Sequence, residues 1–351
     1  MEEVKFIVRV SCITYNHAPF IIDTLNGFTM QQTNFPFVCT IIDDASTDGE
    51  QEVINNYLED NFDLGNKDLF RKEETDDYCL IFARHKTNLN CYFAVFYLKY
   101  NHYSIQKAKR PYIVEWVNAK YTAICEGDDY WIHPRKLQIQ VDYLNSHNSF
   151  SMCWHDAKIL DMKSCKISGN HRRYRKDTTC PTEDIIIQGG GGCPTASIMY
   201  RSELRSNAPD SLFKHHIGDY PLQLYMSFNG KVRYIDSPMS IYRINVPGSW
   251  TTSVAGNTNV DERKKIWSLT MKLFDDFNEY SCHRYDSIFN QRKYIYLFYE
   301  HFAIGDYSTA RKYWYKCSLS TRPWSIGIVL YSHGFGFLLK SLKNFYKYLF
   351  H

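Results

Sequence analysis

The chain has 351 residues, more than one hydrophobic core usually spans, so we expect one large domain with an appendage, or two domains. Its composition, 44% hydrophobic and 23% charged, is that of a folded protein rather than a disordered one. The net charge of +3 argues against a nucleic-acid-binding protein and against a strongly acidic partner.

The first half of the chain alternates strand-like and helix-like segments. Residues 90–122 are aromatic and ambiguous, and we interpret them as a helix that leads into a further strand, "YTAICEG". The β-α-β-α-β order predicts a mostly parallel, three-layer α/β sheet. The patterns predict strands at 4–16, 35–44 and 78–85, and helices at 17–32 and 46–62.

The second half is less regular. The patterns predict a helix at 134–147, a strand at 151–160, a glycine-rich loop at 188–193, a helix at 218–230 and a strand pair at 232–245. From about residue 258 the pattern is helical. We therefore predict one domain over 1–257 and a helical region over 258–351.

Eleven cysteines form no CxxC pair, so a structural zinc site is not expected. Several lie in apolar strand-like runs, which predicts reduced, buried thiols in a cytosolic protein. Acidic residues precede the first apolar stretch, which argues against a signal peptide. No run of about 18 apolar residues occurs, so no transmembrane helix is predicted.

Polar clusters follow three of the predicted strands: "TYN", "DDAS" and "EGDD". Because ligands of such sheets bind beyond the carboxyl ends of the strands, we expect these clusters to form one site. Carboxylates crowded at a strand end repel one another, and Mg²⁺ or Mn²⁺ would relieve that repulsion. The alternative, a helix cap, accounts for one acid of "EGDD" but poorly for three.

Each of the other polar motifs has an ordinary structural interpretation. A strand-to-helix turn with an N-cap explains Ser46, Asp48 and Gly49, although it does not explain two buried acids at Asp43 and Asp44. Carboxylates at those positions could accept hydrogen bonds from a nucleobase or a ribose. A helix cap would by itself explain an aspartate at the start of "DYPLQLYM".

Taken together, "CITYNH", "IIDDASTDG", "KYTAICEGDDYW" and "GDYPLQLYM" resemble family 2 glycosyltransferases with the GT-A fold, of the bacterial cell-surface polysaccharide type. The resemblance covers roughly residues 5 to 250. It implies a GT-A (Rossmann-like) α/β domain with a nucleotide-binding half (1–130) and an acceptor half (131–257), followed here by the helical C-terminal appendage.

The resemblance also implies a role for each matching residue. Asp128 would be the main contact of the metal, with Glu126 as a weaker one, and Asp219 would be the general base. The nucleotide would be bound by Thr14, Tyr15, Asn16, Asp43, Asp44 and Asn88, the donor sugar by Asp129 and Arg243, and the acceptor by Thr195 and Trp131.

Two departures from the family pattern affect these roles. The DxD motif begins with Glu126 rather than Asp, which makes its metal role less direct. Where the family often has a histidine facing the diphosphate, the nearest equivalent here is Asn245, and Arg243 could supply the charge instead.

The function that the resemblance implies is inverting transfer of a sugar from a nucleotide-diphosphate sugar, with a UDP-linked donor expected, in cell-surface polysaccharide or glycoconjugate synthesis. Mn²⁺ or Mg²⁺ would be the cofactor, and the acceptor a carbohydrate or a lipid-linked molecule. Two alternatives stay open. One is a non-catalytic nucleotide-sugar or carbohydrate-binding protein, and the other is a nucleotidyltransferase on a similar scaffold.

The C-terminal tail has the pattern of a basic amphipathic helix, with apolar and lysine positions on opposite faces. Such a helix can lie in a membrane interface or pack on the protein body, and the pattern fits both equally. A helix in the membrane interface would make this a cytoplasmic protein that is peripheral to the inner face of the plasma membrane. The positions are Leu338, Leu342, Phe345 and Leu349 on one face and Lys340, Lys343 and Lys347 on the other.

Overall fold

The computed structural model describes residues 5–215, 218–247, 249, 252 and 259–323. The chain divides into two compact units. The first contains residues 5–180, 193–208 and 229–243, and the second contains 181–192, 209–228 and the residues from 244 onward. A single boundary at 257 does not describe this division, because 181–192 and 209–228 group with the C-terminal helices. The basic amphipathic tail predicted at 338–349 lies outside the described residues.

The strands are β1 (Val8–Thr14), β2 (Phe37–Asp43), β3 (Arg71–Glu74), β4 (Tyr78–Arg84), β5 (Cys91–Leu98), β6 (Tyr121–Ile124), β7 (Tyr130–Trp131), β8 (Phe150–Asp161), β9 (Lys166–Asn170), β10 (Thr178–Cys180), β11 (Met199–Arg201) and β12 (Lys231–Ile244). They form one sheet in the order β10-β12-β8-β11-β6-β1-β2-β5-β4-β3, with β7 paired to β12 and β9 to β8. The predicted strand pair at 232–245 is thus the single long strand β12.

The helices are α1 (Ile21–Thr29), α2 (Glu50–Asn61), α3 (Lys136–Ser146), α4 (Thr182–Gln188), α5 (Ser202–Ser206), α6 (Asp219–Phe228), α7 (Val260–Tyr280), α8 (Asp286–Ala303) and α9 (Tyr307–Lys316). The predicted α/β class and the helical C-terminal region are confirmed. None of the helices within the described residues combines the length and the apolar character needed to cross a bilayer.

The centre of the sheet is parallel: β6, β1, β2 and β5 run in one direction. All residues of β2 and β5 are buried, as expected for parallel strands covered on both faces. The predicted strand at 78–85 forms, but it pairs antiparallel with β5. The third parallel strand is β5 itself, in a stretch that we predicted to be helical. Its continuous apolar run does not distinguish a buried strand from a buried helix.

Apolar side chains alternate between the two faces of the central strands. One face packs in a core with the helices α1, α2 and α3, to which Val10, Cys39 and Ile41 contribute. The other face, with Ile42 and Phe96, packs with a 3-10 helix at Arg110–Trp116. All eleven cysteines are free thiols, and eight of them are buried.

Helix α2 begins as the sequence predicts. Gly49 precedes it with φ of +90°, a conformation that favours glycine, and the carboxylate of Asp48 accepts the backbone N–H of Glu50 at 3.1 Å. In the second unit, α7 is capped by Asn259, whose side chain accepts the N–H groups of Asp261 and Glu262. Both caps position the first turn of a helix by local hydrogen bonds.

Candidate active site

The carboxyl ends of β1, β2 and β6 meet at one edge of the sheet. Thr14 is in register with Asp43, and Ser11 with Ile124. Beyond the strand ends, the N–H of Asp44 donates to the carbonyl of Thr14 at 2.9 Å, and that of Gly127 donates to the carbonyl of Ile13 at 3.2 Å. The predicted convergence of "TYN", "DDAS" and "EGDD" at one sheet edge is therefore confirmed.

Gly127 lets the loop of residues 126–129, which we call the acidic loop, lie against β1. A Cβ atom on this residue would be 2.0 Å from Thr14 Oγ1 and 2.9 Å from His17 Nδ1, so no larger residue fits without movement. The Thr24 hydroxyl of α1 lies 3.0 Å from the carbonyl of Gly127 and 2.6 Å from that of Asp129. The loop is thus packed from two sides.

The carboxylate of Asp128 is open. Its side chain is 18% exposed, and no residue in the described part of the chain donates a hydrogen bond to it. Nε2 of His17 lies 4.0 Å from Asp128 Oδ2. Glu126, two residues earlier, is exposed. An ionised oxygen without a protein donor can accept a ligand.

Asp129 is the opposite case. Its side chain is buried, and Oδ1 accepts the backbone N–H of Arg243 at 2.8 Å. Burial and the neighbouring Asp128 raise the pKa of Asp129 well above its usual range. Asp129 therefore ties the acidic loop to β12, where a donor-sugar contact was predicted.

Arg243 also holds this loop. Its guanidinium donates to the carbonyl oxygen of Asp128 at 2.6 Å and forms an ion pair with Asp23. The rings of Tyr130 and Phe20 flank it at 4.4 Å and 5.1 Å. These partners engage the guanidinium. The geometry therefore supports a structural role, in which Arg243 holds the acidic loop in place, rather than the predicted contact with a sugar or a diphosphate.

Glu50 is a buried carboxylate that the sequence analysis missed. It accepts the hydroxyl of Thr14, the hydroxyl of Ser46 at 2.8 Å and the backbone N–H of His17 at 2.9 Å. The hydroxyl of Thr14 lies 3.1 Å from Nδ1 of His17. In the sequence, Glu50 is simply an acid in the first turn of a predicted helix. Acids are common there because they interact favourably with the helix dipole, so this position did not indicate a site.

Asp43 and Asp44 are both buried, and they differ in their partners. Asp43 accepts the N–H of Ser46 at 3.2 Å and the side-chain amide of Gln51. Burial raises the pKa of Asp43 to about 6, which these hydrogen bonds only partly offset.

Asp44 organises a neighbouring loop. It accepts the backbone N–H groups of His102 at 2.7 Å and Tyr103 at 3.1 Å, and it pairs with Lys109 at 2.9 Å. These three donors engage its carboxylate, which is 2% exposed. Because its carboxylate is already engaged, the structure does not support a direct contact between Asp44 and a nucleotide.

The predicted nucleotide contacts next to Thr14 lie at the same edge. Tyr15 is 44% exposed. Asn16 has φ of +57°, and its side-chain oxygen accepts the N–H of Thr47 at 2.8 Å, which joins the two loops. Thr14 is buried with its hydroxyl engaged by Glu50, so it supports the site from behind.

The position of Asn88 contradicts its predicted role as a nucleotide contact. It precedes β5, so it lies at the amino end of the parallel strands, the edge opposite the acidic loops. Its side-chain amide donates to the carbonyls of Thr29 at 2.9 Å and Gln31 at 2.8 Å. It borders an open cleft of about 750 Å³ with Arg135 and Asp142.

The burial of Trp131 likewise contradicts its predicted role as an acceptor contact. It is 1% exposed, its indole N–H donates to the carbonyl of Ala196 at 2.8 Å, and its ring packs against Phe28 and under the Nζ of Lys136. A side chain in the core has no surface for an acceptor. Thr195, in the turn Thr195–Ser197, is partly exposed, and its acceptor role stays a prediction.

Asp219 belongs to the second unit, where it is the first residue of α6. Its Oδ1 accepts the N–H of Tyr220 at 2.7 Å. The glycine-rich turn is close: a Cβ on Gly190 would lie 3.6 Å from the same oxygen. Its role as a base stays a prediction.

The donor set of the acidic loop fits a hard divalent cation. No group of three or more His, Cys, Asp or Glu side chains within the described ranges forms a metal cluster. Mg²⁺ in nucleotide sites needs only one or two carboxylates, because phosphate and water oxygens supply the other ligands. The open carboxylate of Asp128 meets that requirement, and Glu126 lies on the same loop.

Comparison with known sequences gives distant relatives. No family model matches the chain. Uncharacterized proteins of Mycobacterium bovis and Mycobacterium tuberculosis are 26% identical to it over 262 residues, 74% of this chain. The chain spans only 63% of the length of these curated relatives.

Solved structures show the fold. S. aureus TarS 1–349 in complex with UDP-GlcNAc matches with a TM-score of 0.52 at 15% identity, over 89% of this chain and 76% of TarS 1–349. The mannosyltransferase PcManGT from Pyrobaculum calidifontis, in complex with GDP-Man and Mn²⁺, matches with a TM-score of 0.50 at 14% identity, over 97% and 82%. The chain therefore shares the fold of these two proteins.

Proposed function

We propose that the chain is an inverting glycosyltransferase that moves a sugar from a nucleotide-diphosphate sugar to an acceptor hydroxyl. The observation that carries this proposal is the open carboxylate of Asp128, at the carboxyl edge of a parallel sheet. Ligands of α/β sheets bind at that edge. The complexes of TarS with UDP-GlcNAc and of PcManGT with GDP-Man and Mn²⁺ support the same class of donor.

The nucleotide would lie along Tyr15, Asn16 and Asp43, with Asp44 holding the adjoining loop in place. The diphosphate would then reach the acidic loop. Asp128, with Glu126 beside it, would hold Mn²⁺ or Mg²⁺. A bound divalent cation supplies neutralisation of the charge that grows on the leaving diphosphate.

Asp219 would act as the general base. The acceptor oxygen forms a bond to the anomeric carbon, the bond from that carbon to the diphosphate oxygen breaks, and the acceptor proton moves to the Asp219 carboxylate. Attack from the face opposite the leaving group inverts the anomeric configuration. We expect a UDP-linked donor and a carbohydrate or lipid-linked acceptor, with Thr195 at the acceptor pocket, in cell-surface polysaccharide or glycoconjugate synthesis in the cytoplasm.

The test is incubation with Mn²⁺ and a panel of UDP- and GDP-linked sugars, in which release of the nucleoside diphosphate is measured. Asp219→Asn should abolish transfer and change the donor Kd by less than about twofold, because a base that acts only on the acceptor adds little to donor binding. Asp210→Asn, an exposed aspartate of the same unit, is the matched control and should keep full activity.

Three results would contradict the proposal. Near-normal turnover by Asp219→Asn would remove that residue from the mechanism. Release of a sugar 1-phosphate in place of the nucleoside diphosphate would indicate a nucleotidyltransferase. Donor binding without release of any product, with a range of saccharide acceptors present, would favour a nucleotide-sugar-binding protein.

A further inference from the structure

His17 is a residue for which the predicted site has no role, although it faces the acidic loop. Its side chain is 17% exposed, and its Nε2 lies 4.0 Å from Oδ2 of Asp128. The other ring nitrogen, Nδ1, lies 3.1 Å from the hydroxyl of Thr14. The hydrogen-bond network behind His17 determines which of the two nitrogens carries the proton.

The network starts at Glu50. This buried carboxylate accepts from the hydroxyls of Thr14 and Ser46 and from the backbone N–H of His17. As a carboxylate, Glu50 accepts all three of these hydrogen bonds and has no proton to donate. Glu50 is therefore an acceptor only.

The single hydroxyl proton of Thr14 is used in the bond to Glu50. The Thr14 oxygen can then only accept from His17, so Nδ1 of His17 carries a proton. In the neutral imidazole this leaves a lone pair on Nε2, the nitrogen that faces Asp128. The tautomer is thus assigned from the hydrogen bonds.

A lone pair on Nε2 and an ionised carboxylate repel each other, and a cation between them would relieve that repulsion. Two ligands at about 2.1 Å from one octahedral cation are about 3.0 Å apart in adjacent positions and about 4.2 Å apart in opposite positions. The observed separation of 4.0 Å is close to the second value. An imidazolium ion paired with Asp128 would also suit the distance, and the experiment below separates the two.

We propose that Nε2 of His17 is a ligand of the divalent cation that Asp128 binds. This inference rests on the proposed function, because the cation is the one expected at the donor diphosphate. The order Glu50–Thr14–His17 has the form of an outer-shell relay, in which a hydrogen-bonded partner orients a histidine ligand. A nitrogen ligand also favours a transition-metal ion such as Mn²⁺ over Mg²⁺.

The test is pulsed electron paramagnetic resonance of Mn²⁺ bound to the full chain with UDP, and in a parallel sample with GDP. The unlabelled protein should show coupling of Mn²⁺ to a ¹⁴N nucleus, and ¹⁵N-histidine labelling should replace it with ¹⁵N coupling. His17→Phe should abolish the coupling and raise the Kd for Mn²⁺ by at least about tenfold. His147→Phe, at an exposed site that ends α3, is the control and should change neither.

Thr14→Val keeps the shape of the side chain and removes the relay, so it should weaken Mn²⁺ binding by about tenfold or more without removing the ligand.

The labelled wild-type protein gives an answer even if a variant fails to fold. Mn²⁺ bound with UDP or GDP and no histidine coupling would overturn the role of His17. The nucleoside diphosphate release assay, run on the same preparation, would still report on the transferase. If Mn²⁺ binds with neither nucleotide, the ligand proposal is wrong, and release supported by Mg²⁺ decides the transferase separately.

Discussion

The two acidic loops at the sheet edge differ in how they use their carboxylates. Asp43 and Asp44, at the end of β2, are both buried and both accept hydrogen bonds from the protein. After β6, Asp129 is buried and engaged, whereas Asp128 is partly exposed and accepts no hydrogen bond from the described residues. Adjacent acids of one motif can therefore have different tasks, one structural and one available to a ligand.

The physical reason is desolvation. A carboxylate removed from water needs donors, or its pKa rises, because an ionised group without partners is costly to bury. Asp44 receives two backbone N–H groups and a lysine, and Asp129 receives one backbone N–H. Asp128 keeps contact with water, which makes it the acid that a cation can reach.

The largest expected difference is between Asp128→Asn and Asp129→Asn. Asp128→Asn removes the open charge, and the kcat/KM of transfer should fall by at least about a hundredfold. In Asp129→Asn the amide oxygen can still accept the N–H of Arg243, and the repulsion from Asp128 disappears. We expect its activity to stay within about tenfold of wild type, measured as nucleoside diphosphate release.

Thermal unfolding of both variants checks that neither loss comes from misfolding. Equal losses of transfer in two well-folded variants would contradict the comparison. That result would return Asp129 to the donor-sugar contact that the sequence resemblance implies.

A smaller effect is expected from the pair of Asp44 and Lys109. Asp44→Asn leaves a mostly buried lysine without its carboxylate, which should lower the free energy of unfolding by about 3 kcal/mol. Lys109→Met in the same chain removes the unpaired charge and should restore part of the loss. A double-mutant cycle by urea unfolding measures the coupling.

Lys99→Met is the control for that cycle, because its partner Glu74 is mostly exposed and the pair should contribute little. Additive effects of Asp44→Asn and Lys109→Met would show that the pair does not stabilise the loop.

The smallest expected effect is the pH dependence contributed by Asp43. Its pKa is about 6 in the folded chain, above the value of about 4 for an unfolded aspartate, so folding favours its protonated form. The contribution of Asp43 to stability is full below about pH 4 and is lost as the pH rises to about 6. The loss should be about 2 to 3 kcal/mol.

Asp43→Asn removes this titration. The free energy of unfolding of wild type minus that of Asp43→Asn should therefore fall between pH 4 and pH 6 and then level off. Urea unfolding of both proteins at pH 4, 5, 6 and 7 measures it. A constant difference across this range would mean that the pKa of Asp43 is not raised in the folded chain.

Local sequence patterns predicted much of this architecture. Strand ends followed by "TYN", "DDAS" and "EGDD" were found where hydrophobic runs stop, and the sheet brings them together because β1, β2 and β6 are parallel. The aromatic run at 91–98 was misassigned, because a buried strand and a buried helix are both continuously apolar. Asn88 was misplaced for a related reason: a motif match does not say which edge of the sheet a residue occupies.

The sequence by itself determined the α/β class and the positions of the acidic loops, because both depend on periodicity and on the residues that end each strand. Tertiary structure decided which carboxylates are engaged. The donors to Asp44 come from 58 and 59 residues away, and the donor to Asp129 from 114 residues away. Glu50 likewise reaches Thr14 across 36 residues. Whether a buried charge has partners depends on segments that only folding brings together, and that separates Asp128 from its neighbour.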